Sequence, residues 1–252
     1  MTMTTMKCVR AAAALLLLCA CGAVSAQNNP TTQYVVQITQ VKPGMGAQWV
    51  AAQRDQVNPV LKKGGIKSRT MLETVFGTLG EYVTITPLNF AQYDQSPGLL
   101  QRTLGQKEGD ALAAKLASYV VSNVRYVVTR QDEFNVGNVD GPVRVTTTYR
   151  INPGQGDLYR EFMRDRVLPL NKQGAQGGKI LGFSTSITGQ GSPEPGLWNQ
   201  TTFLPNVEAL GAPGLAAQVL GQPAAALLGR DGAQLRSVVR QTVRRRLADA
   251  SF

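Results

Sequence analysis

The chain has 252 residues, no histidine, and three cysteines, Cys8, Cys19 and Cys21, all within the first 21 positions. Those counts exclude His-based catalytic triads, zinc or haem held by His or Cys, and any disulfide in the body of the protein. With 43% hydrophobic and 17% charged residues and a net charge of +10, the composition is that of a basic globular protein.

Residues 1–26 read as a signal peptide. Lys7 and Arg10 form a positive start, Ala11 to Cys21 an apolar run of 11 residues, and Val24-Ser25-Ala26 a small-residue cleavage site before Gln27. The run is shorter than the roughly 20 apolar residues that span a bilayer. Leu18-Cys19-Ala20-Cys21 offers an alternative, a lipobox with Cys21 as the lipidated first residue. The expected location is therefore periplasmic or secreted after cleavage following Ala26, or anchored to a membrane through Cys21. Loss of Lys7 and Arg10 leaves 24 basic against 16 acidic residues, a charge of +8. Outside the cytoplasm that charge suits anionic envelope surfaces or acidic small molecules rather than nucleic acid, and it also serves solubility alone.

Residues 34–41 alternate with period 2 and are rich in β-branched and aromatic side chains, which predicts a strand. Lys42-Pro43-Gly44 breaks it, and a helix follows to about Lys63 with Trp49, Ala52, Val57 and Val60 at helical spacing. Pro59, like Pro169 in the second half, is expected to kink or loosen the last turn of that helix, and Gly64-Gly65 to stop it. Two strands follow at 68–76 and 81–88, joined by the hairpin signal Gly77-Thr78-Leu79-Gly80. A second helical region covers about 99–116, and a strand at 122–130 completes the set. Residues 135–141 read as a short, polar, flexible joint.

The pattern then returns. Pro43-Gly44-Met45-Gly46 matches Pro153-Gly154-Gln155-Gly156 at an offset of 110, where Arg54-Asp55 also meets Arg164-Asp165 and Pro59 meets Pro169. Pro97-Gly98-Leu99 matches Pro213-Gly214-Leu215 at an offset of 116, and Ser122, Val124 and Arg125 match Ser237, Val239 and Arg240 at 115. Tyr159, Phe162, Val167 and Leu170 mirror the first helix, Gly174 mirrors its stop, and strands are expected at 180–188, 197–204 and 237–245, with a helical region at 214–228. Arg236, Arg240 and Arg244 alone would suggest a basic helix, but their match to the first half argues for a strand. The expected fold is α+β: two tandem ferredoxin-like β-α-β-β-α-β units, at 33–134 and 143–252, joined by a linker at 135–142. Each sheet would bury its helix-free face against the other, closing an α/β barrel within one chain or between two.

A strand, a Pro-Gly turn, an amphipathic helix bearing Trp49 or Tyr159, a late helical proline and then a strand pair resemble the dimeric α/β-barrel superfamily. That group includes antibiotic-biosynthesis monooxygenase-like and NIPSNAP-like domains. The resemblance covers nearly all of 33–247 and implies either a cofactor-free oxygenase or isomerase, a haem-degrading enzyme, or a domain without known activity. The tandem layout also resembles haem-binding chlorite dismutase relatives, whose histidine ligand is missing from this chain.

In such a barrel the helix-free strand face lines a cavity. Alternation nominates Arg69, Glu73, Tyr82, Thr84 and Arg125 in the first half, and Trp198, Gln200 and Arg240 in the second. Which strand face points inward is left open, because both faces mix polar and apolar residues. Arg125 and Arg240, at one matched place in both halves, would supply two fixed cations for a carboxylate or phosphate, or else pair with structural carboxylates. Glu73 and Tyr82 are the candidate acid–base groups, with Arg69, Arg125, Trp198 and Arg240 as ligand-binding residues. Trp49 and Tyr159 are expected in the helix-to-sheet core. No metal constellation or cofactor is expected.

The first functional reading is an exported, non-catalytic binding or interaction module for a small ligand, anionic if the strand arginines face it, or for a partner subunit. The alternative is a cofactor-independent monooxygenase- or isomerase-like enzyme using a carboxylate, tyrosine and arginine cavity. A third is a structural homo-oligomer. Among partners, a small molecule or a second copy is expected, no nucleic acid, and a membrane only through a lipid on Cys21.

Overall fold

The computed structural model describes residues 32–252; the expected leader, its cleavage site and Cys21 lie outside the described residues. The first β-branched run forms β1 (Gln33–Val41), and Gly44, at φ +78°, makes the tight turn into a helix. That helix is α1 (Gly46–Ala52), a π turn (Gln53–Val57) and α2 (Asn58–Lys63) in unbroken succession. Then come β2 (Thr70–Phe76), β3 (Glu81–Pro87), α3 (Leu99–Leu104), α4 (Gln106–Ser118) and β4 (Val120–Arg130). After the short β5 (Val136–Gly137) the order recurs: β6 (Val143–Ile151), α5 (Gly156–Phe162), a π turn (Met163–Val167), α6 (Leu168–Gln176), β7 (Gly182–Thr188), β8 (Trp198–Leu204), α7 (Leu215–Leu220), α8 (Gln222–Leu235) and β9 (Arg236–Arg246).

Three local expectations need correction. The helix does widen at Pro59 and Pro169, but ahead of the last turn: each proline sits in the first turn after a π turn. A proline has no amide to donate back along the helix, and the wider turn before it absorbs the mismatch. Gly174 does not stop its helix: α6 runs on to Gln176, and Gly178 at φ +67° follows it. A side chain at Gly174 would lie 2.6 Å from Leu215 Cδ1, and one at Gly64 2.7 Å from Leu99 Cδ1. These two glycines let the following helix dock against the helix end. Nor is the joint free, because Val136 and Gly137 pair with Phe183 and Gly182 while Phe134 is buried.

Every strand pairing is antiparallel. The strands β4-β1-β3-β2 of the first half and β9-β6-β8-β7 of the second have the same order, and the two groups join at both edges. β2 pairs with β9 from Leu72–Arg246 to Phe76–Val243, and β4 with β7 from Val128–Thr188 to Arg130–Ser186. Eight strands thus close one barrel within a single chain, and Arg236, Arg240 and Arg244 lie on a strand. Alternate side chains point into the lumen and towards the helices outside. The C-terminal residues fold back on β2, with the Leu247 amide 2.9 Å from the Met71 carbonyl and the Arg69 amide 2.7 Å from that of Phe252.

The apolar interior is uneven. One cluster between the helices and sheet of the second half contains Phe134, Tyr159, Phe162, Met163, Phe183 and Trp198. Its first-half counterpart is smaller: Val41, Trp49, Met71, Tyr82 and Ala250. A third, with Val36, Leu72 and Val83, lies on the lumen side of the first-half sheet.

Candidate functional site

The smaller cluster leaves space beside it. Between the outer face of β1, β3 and β4 and the four helices of the first half lies a cavity of about 700 Å³. Its walls are mostly aliphatic and aromatic, with Val35, Val57, Leu61, Leu99 and Trp49 among them. Arg69 reaches this cavity from the start of β2 and is only 6% exposed. Its Nη1 donates to Asn58 Oδ1 at 2.8 Å and its Nη2 to Gln53 Oε1 at 2.7 Å. Asn58 in turn donates to the Ala250 carbonyl at 2.9 Å, which ties the arrangement to the C-terminal turn.

Both partners of Arg69 are neutral amides. A buried guanidinium normally faces a carboxylate, since removing a charge from water is costly without one. Burial accordingly pushes the Arg69 pKa down to about 10, which leaves it charged at neutral pH. Trp49, also lining the cavity, has a buried indole N–H without a partner among the described residues. At the cavity rim Arg125 donates to Gln37 Oε1 from Nε at 3.2 Å and Nη2 at 2.7 Å. Among the lining residues the titratable groups are Arg69, Arg125 and the exposed Tyr93. Among the described residues the site offers two cations and no carboxylate.

The corresponding place in the second half is filled. Gln37 lies opposite Thr84, and Thr147 opposite Gln200. Counting from the partners Met71–Thr84 and Thr185–Gln200 puts Phe183 where Arg69 stands. Counting along the helices puts Tyr159, Phe162 and Met163 where Trp49, Ala52 and Gln53 stand. Tyr159 is fully buried; its hydroxyl accepts from Gln200 Nε2 at 2.9 Å and Arg236 Nη1 at 2.8 Å, and burial pushes its pKa up. Trp198 stands edge-on to Tyr159 with ring centroids 5.0 Å apart.

Of the nominated residues, then, Arg69, Thr84 and Arg125 share the first-half cavity. Trp198 and Gln200 belong to the second-half core. Glu73 and Tyr82 line neither cavity. They are cross-strand neighbours on the outside of the barrel, where the Glu73 carboxylate accepts from Arg245 Nη2 at 2.7 Å. Burial and the nearby Glu73 charge push the Tyr82 pKa up.

Arg240 alone of the eight points into the barrel lumen, a second cavity of about 510 Å³. The expectation that helix-free faces carry the nominated set is thereby corrected: the others face the helices or the outer surface. The matching of Arg125 with Arg240 also fails. Arg125 lies opposite Gln37, but Thr147 lies opposite Gln241, because the bulge in β4 falls at Val121 and that in β9 at Val239. One displaced residue reverses which face a side chain occupies.

The residues missed were Gln53 and Asn58, which hold Arg69. Trp49, Gln53 and Val57 recur every four residues, so a polar Gln53 within an apolar helical stripe was the available signal. No group of three or more His, Cys, Asp or Glu placed to hold a metal ion occurs among the described residues.

No family model matches the chain, and no curated protein sequence matches it. Solved structures do. A candidate monooxygenase from Fusobacterium nucleatum has 8% identity and a TM-score of 0.56 over 86% of this chain and 93% of that one. An anthrone oxidase-like protein has 10% identity and a TM-score of 0.54 over 87% and 92%. A candidate chlorite dismutase has 9% identity and a TM-score of 0.53 over 87% and 96%. At these identities the likeness is one of fold: the chain is an α+β protein whose eight-stranded antiparallel barrel is shared with monooxygenase-like and chlorite dismutase-like proteins.

Proposed function

We propose that this chain is an exported, tandemly duplicated α/β-barrel protein that binds a small, apolar-bodied anion in the first-half cavity without transforming it. The observation that carries this reading is Arg69, a buried cation held by two amides and facing apolar space. A ligand carboxylate or phosphate would supply the missing counter-charge, and the cavity's aliphatic walls would take an apolar body. Catalysis is not part of this reading, because no carboxylate among the described residues lines the cavity to move a proton at neutral pH.

Native mass spectrometry of the protein expressed with its own leader tests it, alongside the Arg69→Met variant. The expected result is a small molecule retained by the wild type and lost from the variant. An empty wild type, or equal retention in both, overturns the reading. The denatured mass reports the N-terminus, Gln27 for simple export and a lipid-modified Cys21 for a membrane anchor.

A second reading, a cofactor-independent monooxygenase, is favoured by the shared fold alone. Incubation with anthrone under oxygen checks it: oxygen uptake above that of buffer, abolished in Arg69→Met, would favour enzyme over carrier.

A further inference from the structure

The barrel lumen is a separate cavity, and its charge is unbalanced. Arg130, Arg144, Arg240, Arg244 and Arg246 all line it. Their ion-pair partners among the described residues are three carboxylates: Asp132 for Arg130, Glu81 for Arg244, and Asp140 shared by Arg144 and Arg246. Arg240 has no such partner and lies beside the Tyr126 hydroxyl. Arg144 and Arg244 stand directly opposite each other on β6 and β9, an arrangement of like charges that costs stability.

The donors are also incompletely used. Arg144 is only 9% exposed, and its Asp140 contact is a long 3.4 Å. Its Nε and that of Arg246 are buried without partners among the described residues. Hydroxyls of Ser184 and Ser186 add neutral donors on the second-half wall, while Val36, Leu72 and Val83 make the facing wall apolar. The Asp140 side chain is 57% exposed, so the end of the lumen beside it opens to solvent.

We infer that the lumen is a second binding site, one for a small oxyanion bearing two or more negative charges, a phosphate or clustered carboxylates, with its charged end among Arg144, Arg244 and Arg246. Such an anion offsets the repulsion between the opposed guanidiniums of Arg144 and Arg244. The site is distinct from the first-half cavity, because its lining side chains project from the opposite faces of the strands.

Calorimetric titration of the whole protein with pyrophosphate and with citrate tests this inference. The wild type is expected to bind at least one of them, less tightly as salt rises. Pyrophosphate alone would assign a phosphate ligand and citrate alone a polycarboxylate. Arg246→Gln and Arg144→Gln should each weaken binding by about ten-fold or more. If Arg144→Gln fails to fold, Arg240→Gln, which breaks no ion pair, should weaken binding in the same direction. Arg69→Met should leave it unchanged, which separates this site from the first cavity. Failure of both anions to bind overturns the inference, as does unaltered binding in Arg246→Gln or loss of binding in Arg69→Met.

Discussion

The two halves place the same elements in the same order and use the space between helix and sheet in opposite ways. In the second half, Tyr159, Phe162, Met163 and Phe183 fill it. In the first, Trp49, Gln53 and Arg69 line a cavity of about 700 Å³. The exchange of Phe162 for Ala52 removes a ring, and that of Phe183 for Arg69 replaces a ring with a charge. A solid core stabilises a fold by burying apolar area at close packing, whereas an open one gives up that stability and keeps room for a ligand. The second half is thus a packed support, and the first keeps the space in which the proposed ligand would lie.

That comparison can be broken by substitutions on either side. Phe162→Ala should destabilise the protein by about 3–5 kcal/mol in urea unfolding, because it opens a void in a packed cluster. Leu61→Phe, placed in the hollow half, should change stability by only about 1 kcal/mol while abolishing ligand retention in native mass spectra. Equal stability losses from the two would show that the halves are packed alike.

The ligand's dependence on pH sharpens the comparison further. Burial lowers the Arg69 pKa but leaves it far above neutral, so the affinity of an anion ionised throughout should be flat from pH 6 to 9. A drop between pH 5 and 7 would instead report a carboxylate at the site. The smallest effect is expected outside both cavities. The Glu73–Arg245 pair is 32% and 56% exposed at its two side chains, and Glu73→Gln should cost less than about 1 kcal/mol in unfolding experiments and leave ligand retention intact.

The strand and helix order was legible in the chain because its period-2 and helical runs are cleanly separated by Pro-Gly, Gly-Gly and Gly-rich turns. Even β9, whose arginine spacing mimics a helix, was recoverable from its likeness to β4. The site was legible only in part. Arg69 and Arg125 stand out as charges within strands, but nothing local distinguishes them from Glu73 or Arg240, which point elsewhere.

Composition by itself determined that histidine and thiol chemistry are absent from the body of the protein, and pattern determined the succession of elements. Tertiary structure decided the rest. Barrel closure selected the lumen face of each strand, the positions of two bulges separated Arg125 from Arg240, and the packing between helix and sheet, close around Tyr159, Met163 and Phe183 and open around Trp49, Gln53 and Arg69, decided which half is hollow. These are long-range outcomes. The direction of a strand residue depends on register with its neighbour, and an unfilled volume depends on side chains brought together from across the fold.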